Sequence, residues 1–236
     1  MPIFSGPLRG LRWIPGSRYP WLLAGIYERR VQALLCRLVQ PGQTVYDVGA
    51  NVGFYIALAA RLVGAAGRVL AFEPEPRNQG YLRRHLALNG MNRQVQVIEA
   101  AVAERSGRGY LRDTTNPAMG ALAEEGAPVA LVALDDFAAR RGVRPPDLIK
   151  IDVEGAESRV LQGAARLLAD ARPALILAAH GWRQHEACWR LLVEFGYAPL
   201  LLRDGSEDGH YEVLALAASA ARERRRPGSG FAQDGH

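Results

Sequence analysis

Two cysteines in 236 residues leave little thiol chemistry available. Cys36 and Cys188 stand far apart, forming neither a Cys-x-x-Cys metal half-site nor a framework of bridges. Disulfide scaffolds are excluded, and both thiols are expected to be reduced and buried. No apolar run reaches the roughly 18 to 20 residues that span a bilayer; the best stretch, Ala174 to Ala179, has the length of a strand. A secretory signal is missing as well, since Arg9, Arg12, Arg18, Pro2, Pro7, Pro15 and Pro20 interrupt any apolar region near the start. The expectation is a cytoplasmic protein with no integral membrane association. Lysine is nearly absent: Lys150 stands alone against 28 arginines.

What is present describes a globular α/β chain. Lys plus Arg total 29 against 24 Asp plus Glu, a formal charge of +5, with 49% hydrophobic residues. The surplus lies at the ends. Residues 1–30 hold five arginines and one acid, and residues 218–236 hold four arginines and two acids, so the centre is nearly neutral. That placement puts the positive charge outside the segment that carries the chemistry. With no basic, aromatic-interleaved stripe across the centre and no Asn-Pro-Pro-Tyr-like loop, a nucleic-acid partner is not expected. Residues 1–40 read as an extension with an amphipathic helix, 41–217 as the catalytic domain, and 218–236 as a disordered basic tail.

Hydrophobic periodicity predicts one amphipathic helix from Ser17 to Val39, stopped by Pro41-Gly42. Strands then alternate with helices. Strands are expected at Thr44–Val48, Arg68–Glu73, Val95–Glu99, Asp147–Asp152 and Ala174–Ala179, and near Tyr197–Leu202 and Tyr211–Ala217. Helices are expected from the Gly53 turn to Leu62, and at Pro76–Asn89, Ala156–Ala169 and Arg183–Phe195. Such βαβ alternation implies a Rossmann-like fold with a mostly parallel seven-stranded sheet and helices on both faces. Gly109–Arg112 and Val129–Leu134 read as a small hairpin inserted between the third and fourth strands.

The strongest local signal is Val45-Tyr46-Asp47-Val48-Gly49-Ala50-Asn51-Val52-Gly53, a strand running into a glycine-containing loop and a helix start. Gly49 permits a sharp turn with room for a ligand at the strand's carboxyl end, and Gly53 permits tight packing where the helix begins. Dinucleotide sites use three glycines as G-x-G-x-x-G to seat a pyrophosphate. Here the spacing is Gly-x-x-x-Gly, and Asp47 precedes the first glycine. A carboxylate there repels a pyrophosphate but suits the cationic amino-acid part of S-adenosylmethionine. Glu73, ending the second strand in Phe-Glu-Pro, can accept hydrogen bonds from the two hydroxyls of an adenosine ribose. Its blander role is an acid at a helix start.

These residues, with Ala101-Val102 after the third strand, Leu134-Asp135-Asp136, and Lys150-Ile151-Asp152-Val153-Glu154-Gly155-Ala156-Glu157, resemble the FkbM family of S-adenosylmethionine-dependent methyltransferases over roughly Tyr27 to Leu216. The resemblance implies a class I methyltransferase fold. It also implies cofactor contacts at Asp47, Gly49, Asn51, Gly53, Glu73 and Ala101. The reaction it implies is O-methylation of a sugar or secondary-metabolite hydroxyl, with a small-molecule or saccharide acceptor as partner. An NAD(P)-dependent oxidoreductase and a non-catalytic cofactor-binding or scaffold protein stand as alternatives.

On the acceptor side, Asp152 and Glu154 fall where the fourth strand meets its loop, in the crevice at the carboxyl ends of the strands. Lys150 shares a face with Asp152, allowing an ion pair. Glu154 and Glu157 could equally serve a helix amino terminus. His180 ends the fifth strand and can act as a general base, leaving the proton acceptor open between Asp152 and His180. The family commonly carries an acid two residues before this histidine; Ala178 occupies that position here. Methyl transfer requires no metal, and Asp135-Asp136 reads as the start of a helix at Phe137. Trp13, Trp21, Tyr19, Tyr27 and the loop Thr114–Gly120 are candidate covers for the acceptor, with packing the simpler role for the aromatics.

Overall fold

A computed structural model of the chain describes residues 1–17, 20–112, 122–140 and 142–218. The basic tail beyond Ala218 and the loop Thr114–Gly120 therefore lie outside the described residues, as does Tyr19. In chain order the elements are α1 (Pro20–Ala24), α2 (Arg29–Leu38), β1 (Thr44–Val48), α3 (Phe54–Val63), β2 (Arg68–Phe72), α4 (Pro76–Leu88), β3 (Val95–Ile98), β4 (Ala101–Val102), β5 (Gly107–Leu111), β6 (Leu122–Ala123) and β7 (Ala127–Val132). There follow α5 (Leu134–Ala138), β8 (Leu148–Ile151), α6 (Glu157–Gln162), α7 (Ala165–Ala171), β9 (Ala174–His180), α8 (Trp182–Glu194), β10 (Tyr197–Arg203) and β11 (His210–Ala217).

The main sheet has seven strands in the order β10-β11-β9-β8-β1-β2-β3. Six strands run in one direction, and β11 alone is reversed, antiparallel to both β9 and β10. The central strands β1 and β8 are buried along their whole length, because helices cover both faces. One apolar cluster joins α2, α3 and α4 to one face, and another joins α5, α6, α7 and α8 to the other. Strand order reverses beside β1, which places the carboxyl ends of β1 and β8 at the ligand crevice of an open α/β sheet.

Several expectations need correction. The helix expected over Ser17–Val39 is two helices, because Gly25 at φ 73° presses against the backbone of Ser5; a Cβ there would lie 2.0 Å from the Ser5 carbonyl oxygen. The helix expected over Ala156–Ala169 breaks at Gly163, where a Cβ would lie 2.1 Å from Ala103 O. The inserted hairpin exists as the antiparallel pair β5–β7, but β4 and β6 extend it into a four-stranded sheet. Cys188 is buried, whereas Cys36 is exposed, one position past Leu35 on the outward face of α2.

Residues 1–17 also belong to the core. Ile3, Leu8 and Trp13 are buried against α3 and α4, and the Trp13 ring stacks on His85 at 3.6 Å. Trp13 is thus a packing residue, while Trp21 is 46% exposed. Asp135 does not cap its own short helix: its carboxylate accepts the Arg166 and Leu167 N–H groups at the start of α7.

Candidate active site

The turn after β1 is built from backbone. Gly49 has φ 87°, and a Cβ on it would lie 1.8 Å from the Asp152 carbonyl oxygen, so the loops after β1 and β8 touch only because this residue is glycine. The Gly49 and Ala50 N–H groups both donate to Phe72 O at 3.0 Å. Asn51, left-handed at φ 51°, turns its N–H toward Glu73 Oε2 at 2.7 Å. Glu73 Oε1 accepts the Glu75 N–H at 3.0 Å and Asn78 Nδ2 at 3.2 Å. Burial pushes the Glu73 carboxyl up to about 7, against the lowering effect of these donors. Gly53, at φ 90°, opens α3 with Leu82 close behind it.

Beneath this turn lies a buried charge cluster. Lys150 Nζ sits 3.1 Å from Asp152 Oδ2, 3.6 Å from Asp47 Oδ1 and 4.8 Å above the Tyr55 ring. Burial raises the Asp47 carboxyl to about 6, opposed by the Lys150 ammonium. Burial would also raise Asp152, but Lys150 and His180 outweigh it and hold that carboxyl below the usual range. Burial would lower Lys150, yet Asp152, Asp47 and Glu28 together keep it firmly charged. The three groups are fixed by mutual pairing, since removal of one would strand another charge out of water.

The third group centres on His180 at the end of β9. Its Nδ1 lies 2.7 Å from Glu157 Oε1, and its Nε2 faces Glu154 Oε2 at 3.5 Å and Asp152 Oδ1 at 3.8 Å. The His210 ring meets it edge-on at 4.9 Å. Burial would lower the imidazole, but the Glu157 hydrogen bond and the charges of Asp152, Glu157 and Glu154 carry it up to about 9. Glu157 is fully buried and also accepts the Gly155 N–H at 2.9 Å. The acid that Ala178 does not supply is therefore supplied from α6.

These groups open onto one cavity of about 460 Å³, within the size range of small-molecule sites. Of the residues singled out from the sequence, Gly49, Asn51, Glu73, Ala101, Lys150, Asp152, Glu154 and His180 line it. Asp47 and Gly53 stand behind the wall, Asp47 meeting the site through Lys150. Reading the chain alone misses Glu28, Tyr55, Arg203, His210 and Glu212, which also line the cavity, and misses Glu157 as the partner of His180. Glu28 and Tyr27 bring two residues of the opening extension to the cavity. Only the isolated acid within an arginine-rich stretch marks Glu28 beforehand; nothing local marks the rest.

An acidic wall around a cleft of this size, with a glycine where a side chain would block the floor, fits a ligand that is cationic in one part and carries hydroxyls in another. The ligating atoms of Asp152, Glu154 and His180 lie within 4.8 Å of one another. The Glu157 hydrogen bond and the neighbouring acids that raise the imidazole favour its protonated form, in which Nε2–H faces the two carboxylates.

The sequence matches the methyltransferase FkbM domain over residues 47–199. It is 29% identical to the 31-O-demethyl-FK506 methyltransferase FkbM of Streptomyces tacrolimicus, over 53% of this chain and 60% of that protein. It is 27% identical to the 2-O-methyltransferase NoeI of Sinorhizobium fredii, over 57% of this chain and 63% of that protein. The chain thus spans less than two thirds of the length of either relative. The fold is shared with Aeropyrum pernix fibrillarin, at a TM-score of 0.53 and 16% identity over 80% of this chain and 74% of that one.

Proposed function

This chain belongs to the FkbM methyltransferase family, and from that premise we propose that it moves the methyl group of S-adenosylmethionine to a hydroxyl oxygen of a saccharide or secondary metabolite. The observation that carries the proposal is the single cavity joining the Gly49–Asn51–Glu73 turn to the Asp152–Glu154–His180 cluster. Two relatives named as O-methyltransferases or as acting at an oxygen support the choice of hydroxyl, and the fibrillarin structure holding S-adenosylmethionine supports the choice of cofactor.

Bound there, the cofactor supplies an electrophilic methyl group on a good leaving group, so the protein's share is alignment and proton removal. In this reading Glu73 accepts ribose hydroxyls through the capacity its three donors leave free, and the open floor at Gly49 and Asn51 admits the amino-acid part. Ala101 lines the same cavity and would contact the cofactor there. Asp47 holds Lys150, and Lys150 holds Asp152 in place.

His180 Nε2 takes the acceptor's proton. Glu157 fixes Nδ1 as the donor side, which leaves Nε2 facing the cavity once it is deprotonated. Asp152, Glu154, Glu157 and His210 face the ring, with Lys150 behind Asp152, and the three acids set its affinity for the proton. The same contacts favour the protonated ring, so the base form grows as the pH rises.

The test pairs calorimetric titration of S-adenosylmethionine with transfer of a radiolabelled methyl group into saccharide and metabolite extracts. Tight binding with label in an alkali-stable ether is expected. Absence of cofactor binding would sink the proposal, and a thermal shift with NAD instead would favour an oxidoreductase.

A further inference from the structure

Beside the cavity, sharing Glu28, His210 and Glu212 with its lining, lies a recess that the steps above leave unused. Its polar wall comes from separate parts of the chain: Glu28 from the turn before α2, His210 and Glu212 from β11, and Lys150 with Asp152 from the end of β8; apolar residues of α2, β8 and β9 close the other side. The recess has a volume of about 10 Å³, room for a single water-sized group.

Two unfavourable features meet there. Glu212 is 8% exposed, and its Oε2 finds no hydrogen-bond partner among the described residues. Leaving a buried polar atom unpaired costs about 1–3 kcal/mol. Burial and the neighbouring Glu28 raise its carboxyl above the usual range, while His210 and Arg203 oppose them. Glu28 adopts φ 41° and ψ 59°, a left-handed conformation unfavourable to any side chain, and its Oε2 is held there by the Tyr55 hydroxyl at 2.5 Å. Strain and an orphaned acceptor in one place mark a position kept for a ligand.

We infer that Glu28 and Glu212 recognise the acceptor through a hydroxyl adjacent to the one that is methylated, so that the acceptor is a vicinal diol of the kind a pyranoside carries. This rests on the O-methyltransferase reading. Carboxylates only accept hydrogen bonds, so the missing group is a donor. The recess admits one heavy atom. Glu28, Glu212 and Asp152 already face Lys150 and Arg203, and a hydroxyl fills the space without adding charge. Asp152 borders both the recess and the His180 cluster, so a hydroxyl in the recess and an oxygen presented to Nε2 would have the same carboxylate as neighbour.

The probes are methyl α-D-mannopyranoside, methyl β-D-glucopyranoside and methyl β-D-galactopyranoside with their monodeoxy analogues, and labelled S-adenosylmethionine as donor. The expected result is methylation of at least one pyranoside by the native protein, with kcat/KM falling about 10- to 100-fold when the neighbouring hydroxyl is removed. Glu212→Gln should lose a similar factor on the intact pyranoside and almost nothing further on the deoxy analogue. Glu28→Gln should do the same to a smaller degree, and both variants should bind S-adenosylmethionine like the native protein. Undiminished discrimination in Glu212→Gln overturns the inference. Failure of the native protein to methylate any pyranoside also overturns it, and the cofactor titration on the same sample shows separately whether the methyltransferase reading stands.

Discussion

The two halves of the cavity are made in different ways. On the β1–β2 side, the wall is mostly main chain: the left-handed Gly49 and Asn51, the Phe72 carbonyl, and a glutamate whose oxygens are held by neighbours within the same βαβ unit. On the β8–β9–β11 side, the wall is side chain, gathered from five places: the turn at Glu28, the loop after β8, α6, the end of β9 and the start of β11. The first half is specified by backbone shape, the second by charge balance among separate segments. Damage to the first should therefore remove cofactor binding, whereas damage to the second should spare binding and remove turnover.

The sharpest break is Gly49→Ala. Its Cβ meets a backbone carbonyl at 1.8 Å and strains a positive φ, which alone costs on the order of 1–3 kcal/mol. Calorimetry should find no S-adenosylmethionine binding at concentrations that saturate the native protein; native-like affinity would mean the two loops are not held in contact. Next comes His180→Gln, expected to lower turnover about 10²- to 10⁴-fold with cofactor affinity unchanged. A parallel loss of binding would erase the distinction between the halves.

Glu73→Gln should weaken cofactor binding about 10- to 100-fold while leaving turnover at saturation nearly intact. With this carboxyl raised to about 7, native affinity should fall as the pH drops through that value, because the protonated form loses acceptor capacity. A flat profile between pH 6 and 8 counts against Glu73 as the ribose contact. The mildest change is Glu157→Gln. The rise of kcat/KM with pH, with its limb near 9 for His180 in the native protein, should move down toward the ordinary imidazole value. The same shift links to stability: the folded value lies above the unfolded one of 6.5, so the cluster's contribution is complete below that pH and is lost as the pH rises through about 9. An unmoved limb would assign the proton to another group.

The contrast also explains what the chain made legible. Asp47, Gly49, Asn51, Gly53 and Glu73 lie within one strand-turn-helix-strand unit, where spacing and geometry are the same information, and the main sheet follows from the alternation of elements. Lys150 and Asp152 were readable because a strand puts them on one face. Glu157 was ambiguous, since an acid at a helix start needs no further reason, and only the packing of α6 on β9 brings it to the imidazole. Glu28, His210 and Glu212 carry no local pattern at all. The breaks at Gly25 and Gly163 were equally hidden, because the carbonyls of Ser5 and Ala103 that require them come from segments outside the helices.

The Trp13–His85 stack has a consequence in time. His85 Nε2 accepts the Ile14 N–H at 3.2 Å and its Nδ1 lies 2.8 Å from Val52 O, so one imidazole ties the opening segment to the turn that follows Gly49. The contact closes a loop of 71 positions in sequence, an entropic cost that a folding chain meets only after α3 and α4 are in place. The expected order is that the opening segment docks last and leaves first. Hydrogen exchange at the Ile14 amide should report an opening of lower free energy than that of the β1 amides, and equal protection of the two would show that they unfold together.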